Sequence, residues 1–584
     1  MFARYFEAEL AYLRERAPEL ASGPYREVMR ELLARDGDPD VERLVESFAF
    51  LVARLRERLE DRAPELLDAL AETFAPHLLR GVPAVSVIEV EPRIEALRGV
   101  KRVAAGRIVE APRSRAPDHR GDSTPCTFRT ATDLDIIPIS AIDVHASRAD
   151  EGHALTLSLR LTEAGAAALR EERALRLFVH GEPLLARWLR HALLDRCRSI
   201  RARLFDRGGE VVDERLLAPT SLRQVGLDAD EARVPWPPLA PAGLRVLVEA
   251  FAAPELLQFI DLEGPILGEA RGERLDLVFA IDGAEPPPGE VRAGALRLHC
   301  VPVVNLYPAT SEPIRLDIGA VAHPLRIAGR RPDEVEIAAV VRVRSSRGGR
   351  AELRPFHPSA GLGRPPPGAA TFHLLRDVSP IDGCVDASIA FSPADGGSLA
   401  DLDGEVVHVD LLCTDRLAAA DLGPGAICRD QRSGGLRFRN ITAITPPARV
   451  ARGPALRWRL LTHLALGQAS LADAAPLRAY LSAYDVHHGS ARSVAGQIDA
   501  IRSVTAKAAA RVLQGALVRG VETRVDVDEA AFLGPGDAHL FGTALDQLLA
   551  DRLGLNTFHE LSLRLLPSER ELRWPARCGG RALL

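Results

Sequence analysis

At Gly81-Val82-Pro83 the spacing of apolar residues changes, which excludes an all-helical or an all-strand fold for this chain. Before this point apolar residues recur every three to four positions, the period of a helix packed on one side. After it they fall into short β-branched runs broken by Gly and Pro, as strands do. Residues 1–80 therefore read as helical. Phe2, Tyr5, Phe6, Leu10 and Leu13 form one stripe of a first helix that ends near Pro18. A second helix, DPDVERLVESFAFLVARLRERLED, runs from Asp38 to Asp61. Asp38 caps it, Pro39 suits its first turn, and Asp40 and Glu42 lie at its positive end. Arg54, Arg56 and Arg58 stand in the last turns, where cations are favoured. Its main stripe is Val41, Leu44, Val45, Phe48, Val52, Leu55 and Leu59, with Phe50 and Leu51 off that stripe. Two faces of this helix avoid water, either within the core of its own chain or against another chain. A third helix from Pro64 to Leu79 is kinked or ended by Pro76.

From AVSVIEVEP to about residue 450 strands dominate: ALTLSLRL (154–161), LRLFVHG (175–181), LDLVFAID (275–282), EVEIAAVVRVR (334–344) and GEVVHVDLLCT (404–414). Helical insertions such as LLARWLRHALLDRC (184–197) interrupt them, and GAEPPPGEVRAG (283–294) and GLGRPPPGA (361–369) read as turns or linkers. Without βαβ alternation, this middle region is expected to be antiparallel. Helices return with WRLLTHLALGQASL (458–471) and SARSVAGQIDAIRSVTAKAAAR (490–511), where Val494, Ile498, Ile501 and Val504 form a stripe. Phe541, Ala544, Leu545 and Leu548 mark a last helix, and TFHELSLRLL alternates as a half-buried strand. The expected class is α+β: a helical N-terminal region (1–80), two predominantly antiparallel β domains (81–285, with helical insertions, and 286–450, sandwich-like), and a mixed α/β C-terminal region (451–584).

The chemistry of a catalytic site is hard to find. There is no G-x-S-x-G elbow, Walker A loop or H-E-x-x-H pair. In GLGRPPPG three consecutive prolines preclude the strand–turn–helix of a phosphate loop. His487-His488 reads as loop surface, since adjacent side chains diverge on either regular element. Asp526, Asp528 and Glu529 lack the glycine and twelve-residue pattern of a calcium loop and read as a solvated strand end. The seven cysteines are scattered, with no C-x-x-C, as buried thiols of a reducing compartment would be. Formal charge of −6 over 584 residues argues against a nucleic-acid surface, as do few aromatics not interleaved with basic residues. No apolar run reaches the roughly 18 residues of a membrane span, and the first residues lack a secretory apolar core. We expect a cytoplasmic protein that is not an enzyme, with no catalytic or metal-ligating residue and no cofactor. Lys101 and Lys507 are its only lysines, so its positive charge is arginine, as a GC-rich genome would give.

Collinear blocks add what spacing alone does not. RYFEAELAYLRERAPELA, the Asp38–Asp61 helix, HLLRGVPAVSVIEVEP, CTFRTATDLDIIPI (126–139), VPVVNLYPATSEPIRLD (301–317) and LLCTDRLAAADL (411–422) occur in order. RWRLLTHLALGQASL, LVRGVETRVDVDEAAFLG, HLFGTALDQLLADRLGLNTFHEL and RWPARCGGRALL follow. In that order and spacing the chain resembles the TssF family, baseplate subunits of the bacterial type VI secretion system. It departs at Asp415, where the family usually has Asn, at Gly467-Gln468-Ala469, and at Leu244 and Ala250, where tyrosines are expected. The resemblance implies a wedge scaffold in which two copies join one TssG-like subunit. It further implies contacts with TssK-like and TssE-like subunits around a VgrG-like spike, at the cytoplasmic face of the inner membrane. It implies neither nucleic-acid binding nor direct membrane insertion. Tyr5, Phe6, Leu13, Phe48, Phe50 and Leu51 are the expected interface residues. A wedge of a related contractile particle is the alternative, and a β-sandwich hydrolase a remote one, which a deep pocket with paired carboxylates or a metal would favour.

Overall fold

The computed structural model describes residues 6, 43 and 46–52, and 64–579 except 113–123, 150–151, 172, 238–239, 284, 318, 347–352, 359–369, 380–383, 394–402, 431–435, 450–452, 466–470, 488–489, 491 and 514–515. The first predicted helix (Phe6 apart), the Asp38 cap, the loop 361–369, His488 and the last residues of the chain lie outside these. Residues 1–71 with 451–458 form one compact unit, and 72–450 with 459–584 another.

The described helices are α1 (Pro64–Phe74), α2 (Glu163–Arg170), α3 (Pro183–Asp195), α4 (Ala242–Ala252), α5 (Gly453–Ala465), α6 (Ala474–Ser482), α7 (Ala495–Asp499) and α8 (Pro535–Ala550). As Pro76 requires, α1 gives way to a separate turn, Pro76–Leu79, before the first strand, Val85–Glu91. The fold is α+β, with the middle of the chain mainly antiparallel.

A six-stranded sheet is built from distant pieces: Arg429–Asp430, Ile108–Ala111, Cys126–Thr130, Cys300–Val304, Val85–Glu91 and Arg437–Asn440, in that spatial order. Val303 and Phe128, both fully buried, are part of its core. An antiparallel five-stranded sheet runs from Val211–Leu217 through Cys197–Phe205, Arg274–Ile281 and Gly152–Leu161 to Ile139–Ala149. Its alternating Leu155, Leu157, Leu159 and Leu275, Leu277, Phe279 pack in one apolar core with α2, α3 and the strand Leu175–Val179. A larger sheet centred on Glu336–Ser346 and Val406–Thr414 carries a third core, around Val343, Val407 and Val409. One pair in it, Leu353–Pro358 with Ala370–Val378, is parallel, an exception to the expected antiparallel middle.

The C-terminal sheet corrects one expectation. The predicted helix over 490–511 is helical only at α7; from Ile501 to Leu513 the chain is a strand paired along its length with Ala516–Asp528. The stripe Val494, Ile498, Ile501, Val504 and the alanines favour a helix locally. The neighbouring ALVRGVETRVDVD, however, alternates as a strand and must satisfy its backbone through a partner. Residues 501–513 supply that partner. Ala516–Asp528 then pairs in parallel with Thr557–Leu566, α8 lying between them in sequence as the crossover. In Thr557–Leu566, Leu561, Leu563 and Leu565 are buried and Glu560, Ser562 and Arg564 partly exposed, as the alternation requires.

Candidate functional site

Of the six expected interface residues, Tyr5 and Leu13 lie outside the described residues and Phe6 is half-buried. The helical segment 46–52 buries Ala49, half-buries Phe50, and leaves Phe48 56% and Leu51 62% exposed. Phe48, placed by spacing on the main stripe, is thus exposed, while the off-stripe Phe50 is the more covered of the two. Helix α5 carries Trp458, Leu461 and Leu464 three residues apart, each more than half exposed.

Three of the blocks that carried the resemblance meet inside the larger unit. Asp415, at the end of the strand Val406–Thr414, is fully buried. Its Oδ2 accepts from the Thr127 N–H (2.7 Å) and Asn305 Nδ2 (2.7 Å), and its Oδ1 from the Tyr307 hydroxyl (3.1 Å) and Arg330 NH1 (3.2 Å). Asn305 also accepts from the Asp415 N–H through Oδ1 (2.9 Å) and donates to the Thr127 carbonyl (2.9 Å). Three blocks spread over some 290 residues, CTFRT, VPVVNLYP and LLCTDR, thus close one polar knot between two sheets. Burial, then Asp415 alongside, raises the Tyr307 phenol and pushes the Cys413 thiol up to about 12, so both stay protonated and Tyr307 donates. Arg330 belongs to no block, and nothing in its turn, Gly329-Arg330-Arg331-Pro332, signals its role. Arg416 next door takes a left-handed φ of 51°, held by Nε donating to the Val335 carbonyl and by an ion pair to Asp386.

Two of the closing blocks, HLFGTALDQLLADRLGLNTFHEL and RWPARCGGRALL, meet in the same way on α8, which is buried around most of its circumference. Gly542 lies against Trp574, whose indole N–H donates to Thr543 Oγ1 (3.2 Å) and whose ring stacks on His539. Arg577 pairs with Asp546, and His559 Nδ1 lies 4.0 Å from the same carboxylate. Burial raises the Asp546 carboxyl to about 6 against the pull of Arg577, and lowers His559 to about 4.

His191 and Asp195 on α3 and His539 on α8 bring three potential metal ligands together, a grouping invisible in the sequence because the third residue is 344 positions away. Hydrogen bonding argues against ligation. Arg190, fully buried, donates through NH1 to His539 Nδ1 (3.0 Å), using the one lone pair of a neutral imidazole. Its other donors go to the Leu257 carbonyl, Gln224 Oε1 and Thr543 Oγ1. His191 Nε2 faces Asp195 at 3.1 Å as a donor. A metal would displace a buried guanidinium from its acceptor, so these residues fit a polar core better than a cation. Asp526 and Asp528 are likewise engaged by arginines, Arg564 (2.8 Å) and Arg502 (2.6 Å). His487, expected at a loop surface, is instead buried, its backbone N–H donating to Asp485, because its turn is tucked in rather than exposed.

A cleft of about 440 Å³ is lined by Asp133, Asp135, Glu231 and Asp261 together with Arg102, Arg173 and Arg176. Asp230 lines it too; the other four carboxylates are paired, Asp133 with Arg102, Asp135 with Arg173 (3.6 Å), Asp261 with Arg176 (2.8 Å) and Glu231 with Arg223 (2.8 Å). The hydrogen bond from Arg102 lowers Asp133, and for Glu231 the Gly226 N–H and Arg223 outweigh burial and lower it too. A general acid needs the opposite shift.

Among the described residues no helix is long and apolar enough to cross a membrane. Residues 1–581 match the family model described as type VI secretion system, TssF. TssF1 of Pseudomonas aeruginosa is 28% identical over 99% of this chain and 98% of its own length. A chain of the TssK-TssF-TssG baseplate subcomplex of the type VI secretion system, solved by cryo-electron microscopy, is 25% identical. It superposes with a TM-score of 0.74 over 92% of this chain and all of its own. A chain of a type VI baseplate complex, 23% identical with a TM-score of 0.69, shares the fold over the full length of both. With the family model spanning residues 1–581, nearly the whole chain, this chain belongs to the TssF family of the type VI secretion system.

Proposed function

We propose that the chain is a structural subunit of a type VI secretion baseplate and acts without catalysis, through its interfaces. The observation that carries this is its likeness, over nearly its whole length, to a chain found in a TssK-TssF-TssG subcomplex. The exposed Phe48 and Leu51 support it, since apolar side chains presented from a helix are what a permanent partner covers. In this reading two copies join one TssG-like subunit and engage TssK-like and TssE-like subunits around a VgrG-like spike, in the cytoplasm beneath the inner membrane. Co-expression with the TssG-like subunit of the same genome, followed by size exclusion and mass measurement, is expected to give a 2:1 complex. A stable monomer that ignores this partner overturns the proposal. Genes for a TssK-like adaptor and membrane-complex proteins beside its own distinguish secretion from a related contractile particle.

A further inference from the structure

The hairpin Ile501–Leu513/Ala516–Asp528 leaves its sheet incomplete. Among the described residues the first strand is the outermost of that sheet and pairs on one side alone, with Ala516–Asp528; at its start the Ile501 carbonyl accepts from Arg478 NH1 (3.1 Å), so the open edge lies beyond Ile501. Parallel pairing of the second strand with Thr557–Leu566 begins at Arg519. Register places Val504 opposite Val525, Ala508 opposite Val521 and Val512 opposite Leu517, so these share one face of the ribbon. That face lines the core at Val525, which is fully buried. It then runs outward to Val512 (70% exposed) and Leu517 (74%). A strand with an open edge and small, exposed Ala506, Ala508 and Ala510 lets another backbone come close.

Charge selects the occupant. The strand IRSVTAKAAARVL holds Arg502, Lys507 and Arg511 and no acid. Arg502 is paired with Asp528 (2.6 Å), and Arg511 with Glu522 (2.9 Å) and Glu560 (2.7 Å). Lys507 lies opposite Glu522, the carboxylate that Arg511 engages, and no hydrogen bond or ion pair holds Lys507 among the described residues. A second copy of the strand would bring three more cations and no carboxylate, so self-pairing is disfavoured. We infer that the open edge of Ile501–Leu513 receives an extended acidic segment of a different protein chain. That segment adds as a strand through backbone hydrogen bonds, with a carboxylate against Lys507. This rests on the reading that the chain works within a multi-subunit assembly.

The scarcity of lysine provides the test. With Lys101 and Lys507 the only side-chain amines, acylation by an amine-reactive ester can be followed residue by residue in the free chain and in the assembly with its TssG-like and TssK-like subunits. Lys507 is expected to react at least ten-fold more slowly in the assembly, and carbodiimide is expected to couple it to an Asp or Glu of another subunit. Lys507→Glu is expected to lower the assembled fraction about ten-fold, with an unchanged thermal melt of the free chain, and Lys507→Arg to retain assembly. An assembly that forms while Lys507 reacts at its free rate overturns the docking strand and leaves the baseplate reading standing. A Lys507–Lys507 link through a bifunctional ester overturns it in favour of a second copy. Failure of any assembly to form overturns both.

Discussion

Replacing Asp415 by Asn, the residue the family resemblance leads one to expect there, hardly changes the shape and isolates the charge at the centre of the first knot. The carboxamide keeps one oxygen. Placed at the Oδ2 position, that oxygen retains the Thr127 and Asn305 donors. The amide NH₂ then faces the Tyr307 hydroxyl, which can rotate to accept, and Arg330 NH1, which cannot. One hydrogen bond between charged groups is lost, about 1.5–3 kcal/mol. Arg330, only 14% exposed in its side chain, is also left without its carboxylate, which raises the expected cost to about 3–4 kcal/mol. Arg330→Met should rescue part of this, because it removes the cation that Asn cannot answer. The double variant should lie at least about 1.5 kcal/mol above the sum of the singles. Urea unfolding of the four proteins, with midpoints compared at constant slope, measures both quantities. An Asp415→Asn variant within about 0.5 kcal/mol of the parent, or a coupling below that, would refute the claim that Asp415 is there to balance Arg330.

Other outcomes follow from the same geometry. Burial depresses His77 to about 3 and His299, His463 and His559 to about 4, so each stabilises the fold above the ordinary imidazole value of about 6.5 and ceases to as pH falls through its folded value. Asp546, raised to about 6, acts oppositely, favouring the fold below about 3.8 and losing that effect as pH rises through 6. Burial lowers His180, His191, His487 and His539 as well, so eight histidines act against the one raised carboxyl; stability should fall between pH 6.5 and 4, by up to about 1.4 kcal/mol per pH unit for each histidine, and His559→Gln should flatten the fall in a pH series of urea melts. A Cβ at Gly542 would meet the Trp574 ring at 2.1 Å, so Gly542→Ala should cost about 1–3 kcal/mol in the same assay. Phe48→Glu and Leu51→Glu should leave the free chain within about 0.5 kcal/mol of the parent and abolish co-purification with the TssG-like subunit.

Much of the fold was legible because burial follows local period wherever a segment has one consistent neighbour. Leu561, Leu563 and Leu565, and the switch at Gly81, needed no partner to be recognised. The strand Ile501–Leu513 needed one. Its alanines and stripe favour a helix, and only the ladder demanded by Ala516–Asp528 decides otherwise. The knots are a different case. CTFRT, VPVVNLYP and LLCTDR were each visible as blocks, but that Asn305 bonds both Thr127 and Asp415 is a fact of topology. Arg330, outside every block, could be found only through the carboxylate it serves.

Two helices show where sequence reading stops and what the structure adds. Helix α8 is buried around most of its surface and is completed by its own chain: Ala538, Ala544 and Leu545 are buried beside the polar Asp537, His539 and Asp546, and Gly536 lies against the backbone of α3. The segment 46–52 has as apolar a sequence, yet Phe48 and Leu51 stay in water. Burying the exposed part of these two side chains is worth about 1–2 kcal/mol each, stabilisation that the free chain forgoes and a partner can recover. Composition cannot tell these helices apart, because it records how much surface avoids water and not which chain covers it. On the proposed reading, a core that is finished at α8 and open at Phe48 and Leu51 fits a subunit whose binding surface is made of the same residue types as its interior.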